Sequence, residues 1–341
     1  MNVSTLTQHE FLRSRILDLQ QRLIDTQAQV ASGKRSQAFS GLGFDAPTSI
    51  NLNNAKATSE TYLRTTNTTS ARMETINHAM TRIADIAAEM RASALQAMTP
   101  GGLPTPTGNA AIKAQATARL KEVVSLLNTQ MDGVYLFGGR ATNVPPMINT
   151  GEIGTVGTPL DDVAALNGGT PLTNTASGDA RHAAIDTLLQ GATFYYAGDT
   201  GAGATLTARI DDGLDISYGY TGNAAPFQQV LRGLYALATT DLNATTEAGW
   251  RRVAELTVTD FTNGQRDVSG LVADLGVKQN TLKQMQTHHQ DFQTTLAIQI
   301  SSVEEVDTSE AMSRLSLQQT NLEVTFKVLA SMKDLTLAKM L

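Results

Sequence analysis

The fold this chain predicts is mainly α: an elongated rod with paired N- and C-terminal coiled-coil helices, a helical bundle domain and a small β-rich insert domain. Three observations carry that prediction. Apolar residues recur at heptad spacing near both chain ends. Glycine and proline clusters punctuate the periodic stretches. Residues 141–225 lose the helical period and fill with Gly, Thr, Asp, Asn and Pro.

The first element is helical. From Leu12 the apolar positions are Leu12, Ile16, Leu19, Leu23 and Val30, advancing by four, three, four and seven, with polar Thr26 in the seam. Ser32-Gly33 stops it. Ser40, Gly41 and Gly43 then mark a loop, after which Asp45-Ala46-Pro47 opens a second helix, with Asp45 as N-cap candidate and Pro47 in the first turn. Its later half is regular: Met73, Ile76, Met80, Ile83, Ala87, Met90, Ala94. It ends near Met98, at Pro100-Gly101-Gly102-Leu103-Pro104. A third helix, from about Asn109 to Asp132, carries Ile112, Ala116, Leu120, Val123, Leu127 and Met131 on one face.

Gly133-Val134-Tyr135-Leu136-Phe137-Gly138-Gly139 reads as a short β-prone run closed by glycines. Within 141–225, Thr205–Ile210 and Leu214–Tyr220 are strand candidates around a turn at Asp211-Asp212-Gly213. Helix returns over Pro226–Ala238 and again from Glu247. Leu282, Met285, Phe292, Leu296, Val303 and Val306 form one stripe, with polar His289 and Gln299 between. Asp307-Thr308-Ser309 interrupts the phase, and Met312, Leu315, Leu322, Phe326 and Leu329 form another, with Gln319 in its seam.

Neither terminal helix can hide its stripe alone, so the economical arrangement pairs them. This places residues 1–45 and 295–341 in a terminal coiled-coil domain, 46–140 and 226–294 in a helical rod domain, and 141–225 in the β-rich outer insert. A helix over 310–335 spans roughly 40 Å at 1.5 Å per residue. By pattern alone the stripes fit an ordinary monomeric bundle as well as an assembly.

Composition narrows the function. The chain has 341 residues, 41% of them hydrophobic but only 5% aromatic, which is low for a pocketed enzyme. A net charge of −6 without any basic run argues against a nucleic-acid partner. The absence of cysteine excludes disulfides, Cys-ligated metal and a Cys nucleophile. No stretch is apolar enough to span a membrane, and Met1–Glu10 lacks the features of a cleaved secretory signal.

No enzymatic constellation, cofactor or metal site is expected. His288-His289 are adjacent, so on a helix they point about 100° apart and make poor co-ligands. Asp211-Asp212-Gly213-Leu214-Asp215 lacks the full calcium-loop ligand set and reads as a hairpin turn. Trp250, the single tryptophan, reads as core.

Four segments resemble the bacterial flagellin family of flagellar axial proteins. Gln29-Val30-Ala31-Ser32-Gly33-Lys34-Arg35 is similar to the family's "S-G-K/L-R" helix end. Gly133 to Gly139, through Tyr135 and Phe137 and with Pro145-Pro146 after, is similar to the "G-x-Y-x-F-x-G…P-P" stretch of its hook–filament junction members. Val303 to Ala311, through Asp307, resembles the "D-x-x-E-A" segment, and Val328 to Leu337 resembles the family's last helix. That end, Lys333-Asp334-Leu335-Thr336-Leu337, departs from the "N-x-x-x-Q-x-x-L-x-L-L" tail of flagellins and favours the junction members. Against this, the junction members' "S-P-S-D-D-P" is replaced by Gln37 to Pro47, keeping only Asp45 and Pro47.

The resemblance implies a structural subunit of the bacterial flagellum that forms the hook–filament junction by helical self-assembly of its terminal helices, with filament subunit as the alternative and a secreted helical adhesin or other non-flagellar helical protein as the alternative outside the family. It implies export by the flagellar type III apparatus without a cleaved signal and a place outside the cell. The terminal helices would be unfolded in the monomer and would fold into a coiled-coil layer on assembly. Implied partners are further copies of the chain, the hook-proximal junction protein, flagellin and an export chaperone. The assembly seam would run along Leu12, Ile16, Leu19, Leu23 and Val30 on one helix and Met312, Leu315, Leu322, Phe326 and Leu329 on the other.

Overall fold

The computed structural model describes residues 2–98, 104–153, 155–169, 172–191, 195–201, 203, 205–241 and 245–337. Of these, 2–9, 12, 167–169 and 332–337 are described by their backbone alone. The Pro100–Leu103 helix stop therefore lies outside the described residues.

Among the described residues the fold is mainly α, with eight α-helices, a 3-10 helix over Phe39–Asp45 where a loop is expected, and two two-stranded antiparallel ladders. The helices are α1 (Asn2–Ser32), α2 (Ala46–Ala97), α3 (Pro106–Leu127), α4 (Pro159–Gly169), α5 (Thr175–Gln190), α6 (Ala225–Thr239), α7 (Glu247–Glu304) and α8 (Thr308–Leu337). Strands β1 (Gln130–Met131) and β2 (Val134–Tyr135) form one ladder, β3 (Thr207–Asp211) and β4 (Leu214–Ser217) the other. The chain divides into two compact units, one comprising 1–61 with 289–341 and the other 62–288.

In the 62–288 unit the α2 stripe Met73, Ile76, Met80, Ile83, Ala87, Met90 and Ala94 is wholly buried. Ala116, Leu120, Val123 and Leu127 of α3 join the same core. Thr105 starts α3 by accepting the Gly108 N–H at 3.1 Å, with Pro106 in the first turn. Helix α6 is buried nearly all round, from Phe227 to Thr239, because α3, α4 and α5 all pack on it. On α7, Ala254, Phe261, Val268, Leu275 and Leu282 recur every seven residues and are all buried. Trp250 is buried and donates to the Ala97 carbonyl at 3.5 Å. Helices α6 and α7 meet at glycines: a Cβ on Gly264 would come within 2.6 Å of the Val230 side chain.

Polar groups lock these helices together. Arg82 of α2 donates to Glu122 of α3 at 2.7 Å and to Glu89 at 2.9 Å, and Arg119 reaches the same two carboxylates. Buried Asp260 of α7 takes His182 of α5 at 2.7 Å and Arg232 of α6 at 2.5 Å.

The β-prone run after α3 turns at Asp132-Gly133, both with positive φ (52° and 75°), the geometry that favours Asp-Gly in a two-residue hairpin. The expected second hairpin is β3–β4, pairing Ala208 with Ile216 and Arg209 with Asp215 about a turn at Asp212-Gly213. Segment 141–225 also contains α4 and α5, which its composition conceals. They are short, and few but decisive apolar residues, Leu160, Val163, Ile185 and Leu189, bury them. A capping box between Asn174 and Ser177 starts α5.

Candidate assembly surface

Helices α1 and α8 pack on each other within the unit formed by 1–61 and 289–341. On α1, Ile16 and Thr26 are buried, and Leu19, Leu23 and Val30 are half-buried. Thr26 satisfies its hydroxyl on the Arg22 carbonyl at 2.8 Å. The side chain of Leu12 lies outside the described residues.

On α8, Ala311 is buried and Leu315, Gln318, Leu322, Thr325 and Leu329 are half-buried. The seam within one chain thus advances by four and three, leucines alternating with small or polar residues. Met312 and Phe326, read as seam positions from their apolarity, are instead 58% and 45% exposed. Thr325 takes the inward place beside Leu322 and Leu329, because the heptad phase, not side-chain hydrophobicity, selects it. Gln318 brings a carbonyl oxygen into this seam with no hydrogen-bond partner.

The pair leaves much apolar surface uncovered. Phe11, Leu17 and Ile24 of α1 are each more than half exposed, as are Met312, Leu317 and Val324 of α8. Ile298, at the end of α7, is 66% exposed. Burying one such side chain is worth roughly 1.5–3 kcal/mol. An exposed apolar row of this kind is a candidate interaction surface. No helix of the described residues is long and apolar enough to cross a membrane.

The other ends of α1 and α8 meet at a polar joint. Gly33, at φ 70°, lets the chain leave α1, its N–H still bonded to the Gln29 carbonyl at 2.8 Å. Lys34 and Glu305 form an isolated antiparallel bridge. Around it, the Arg35 N–H donates to the Glu304 carbonyl at 2.6 Å and the Val306 N–H to the Gly33 carbonyl at 3.0 Å. Arg35 also reaches the Val303 carbonyl at 3.0 Å and the Asp45 carboxylate at 2.9 Å. Asp45 accordingly uses its carboxylate on Arg35. Asp307 begins α8 by accepting the N–H groups of Ser309 and Glu310 at 2.9 and 3.2 Å.

Glu304 is the centre of this joint. Its side chain is buried, and its carboxylate accepts from Ser49 at 2.5 Å, Asn53 at 2.8 Å and Lys34 at 2.9 Å. Hydrogen bonds from Ser49 and Lys34, against the opposing pull of burial, hold its pKa down to about 2. About four turns back along α7, His289 is buried against Ser59, its ring Nδ1 3.4 Å from the Ser59 hydroxyl, while His288 is exposed.

The motif residues therefore fall in two places. Ser32, Gly33, Lys34, Arg35, Asp307 and Ala311 gather at the joint and the start of α8. Tyr135, Phe137 and Gly139 lie in the 62–288 unit. There Phe137 is buried edge-to-face on Phe227, with ring centroids 5.7 Å apart. Its carbonyl accepts from the Gly222 N–H at 2.8 Å, so this run ties the 141–225 segment to the helices. Ser49, Asn53 and Glu304 were not singled out by sequence. Polar residues carry no hydropathy period, and nothing in the chain distinguishes Glu304 from its neighbour Glu305.

Comparison with known proteins adds to this geometry. Residues 3–142 match the family model of the bacterial flagellin N-terminal helical region, and 259–341 match that of the C-terminal helical region. No curated protein sequence matches the chain. Among solved structures, the chain is similar to a Vibrio parahaemolyticus protein assigned as flagellar hook-associated, at 12% identity, TM-score 0.53, covering 76% of this chain and 97% of that one. It is also similar to Bacillus cereus FlgL (15%, TM-score 0.52, 74% and 99%) and Xanthomonas campestris FlgL (12%, TM-score 0.52, 73% and 99%). At such identities the likeness is one of fold.

Proposed function

The chain belongs to the bacterial flagellin family, and from that premise we propose that it is a structural subunit of the hook–filament junction, built into a helical layer through α1 and α8. The observation that carries the assembly is the apolar face those two helices leave open when paired within one chain. Ordering a residue costs about 1–2 kcal/mol of backbone entropy. A thin helix pair burying only one face of each member recovers little of that alone, and recovers more when copies cover the rest. Contacts that repeat head to tail without closing generate a helical stack. Partners on this reading are further copies, the hook-proximal junction protein and flagellin, with an export chaperone covering the C-terminal helices before type III export.

The junction assignment, rather than the filament one, is supported by the Gly133–Gly139 run with Pro145-Pro146, by the departure of the chain end from the flagellin tail, and by likeness of fold to two FlgL structures. A deletion strain tests it. Loss of this chain should leave hooks intact and release flagellin subunits into the medium; a deletion that sheds no flagellin and only removes filament mass would make it a filament subunit instead. Within the assembly, Leu322→Asp places a charge in the α1–α8 seam. It should abolish motility while Trp250 emission of the full-length variant shows the 62–288 unit still folded; normal swimming by that variant would count against the seam.

A further inference from the structure

We propose that Glu304 is the positioning residue of the assembly: its side chain and backbone clamp the joint from which α1 and α8 depart, and so preset their register before copies meet. The inference rests on the assembly reading above and goes beyond it by assigning the register to one residue.

Two segments distant in sequence converge on Glu304, the start of α2 and the residues after α1. The carboxylate takes Ser49 and Asn53 from the first turns of α2 and Lys34 from the segment after α1. The carbonyl takes the Arg35 N–H, and two residues on the Val306 N–H closes the bridge onto Gly33. Asp307 then starts α8 immediately. A carboxylate with three donors in a buried place is held in a single arrangement, since losing any donor leaves a charge out of water. The seam itself does less: Leu315, Leu322 and Leu329 recur every seven residues, so a slip of one heptad sets leucine where leucine was. The direction in which α1 and α8 leave the joint is therefore set at Lys34–Asp307, where hydrogen bonds allow one register only.

The test uses the full chain. Amide hydrogen exchange of the dilute monomer should show the Arg35 and Val306 N–H groups protected in wild type, more strongly than amides in the middle of α1 and α8. In Glu304→Ala that protection should fall by about tenfold or more, as expected for removal of a buried charged acceptor, and assembly onto hooks should be lost. Emission of Trp250, which lies in the other unit, reports that 62–288 is still folded. A second variant, S49A with N53A, keeps Glu304 and removes two donors. The pH at which the joint opens should rise from its low wild-type value toward the ordinary glutamate range, a shift that a general packing role would not produce.

Unchanged joint protection in E304A, or an unmoved opening pH in the double variant, overturns the clamp. These monomer measurements do not require assembly. Wild type that assembles beside an E304A variant that assembles equally well sinks the clamp alone, whereas wild type that never joins hooks sinks the junction reading alone.

Discussion

Glu304 and Gln318 show opposite uses of a buried polar atom. The Glu304 carboxylate has three donors and a pKa held down to about 2 from an ordinary 4.5. Because the folded value lies below the unfolded one, its contribution is fully present above about pH 5. It fades as pH falls through 4.5 toward 2, and is worth at most about 3 kcal/mol. Acid titration followed by exchange at Arg35 and Val306 should show the joint surviving well below pH 4.5; opening at pH 5 would contradict this. Gln318 instead presents an orphan carbonyl to the α1–α8 seam. Gln318→Leu should stabilise the pair by about 1–2 kcal/mol, read as slower proteolysis of α8 in the monomer. Faster cleavage would mean the amide has a partner in solution.

At the scale of elements, buried positions in α2 and α7 recur every seven residues. In α7 the series Ala254, Phe261, Val268, Leu275, Leu282, His289 and Leu296 is buried throughout. In α2 the buried positions Ser59, Thr66, Met73, Met80, Ala87 and Ala94 keep the same spacing. The α2 stripe is apolar from Met73 onward and polar before it. That is why its later half is evident as a helix from apolar spacing and its first half is not. Phe292, placed on the α7 stripe by its hydrophobicity, is 42% exposed, and His289 takes the inward position. The close contact of α6 with α7 depends on missing side chains. Gly264→Ala would press a Cβ against Val230 and should lower stability by about 1–3 kcal/mol, seen as a reduced Tm of the 62–288 unit. An unchanged Tm would show that Val230 can yield.

For the whole molecule, the two compact units differ in what holds them. The 62–288 unit has a continuous core with Asp260, Glu89 and Glu122 tied to cations on neighbouring helices. In the other unit, most residues of α1 and α8 are exposed or half-buried. Limited proteolysis of the monomer should therefore cut within α1 and α8, back to the joint at Lys34 and Asp307, and leave a resistant middle that keeps the joint, since ends with little burial open first. Termini as resistant as the middle would mean the pair is stable alone, and the case for completion by neighbouring copies would fail.

Sequence alone was enough for the helical character of both ends, the breaks at Gly33 and Asp307, the core stripe of α2 from Met73 to Ala94 and the Asp212-Gly213 hairpin. These are local matters: a periodic apolar face, a positive φ or a capping oxygen acts within a few residues. It was also enough for the resemblance to flagellins, carried by short segments near the ends. Tertiary structure alone decided that Thr325 rather than Phe326 faces α1, that α4 and α5 fold within a Gly- and Thr-rich stretch, and that Glu304 rather than Glu305 is the buried acid. Each of these depends on which groups from distant segments arrive at the same place. Hydropathy does not record that a serine, an asparagine and a lysine some 250 residues away in the chain will converge on one carboxylate.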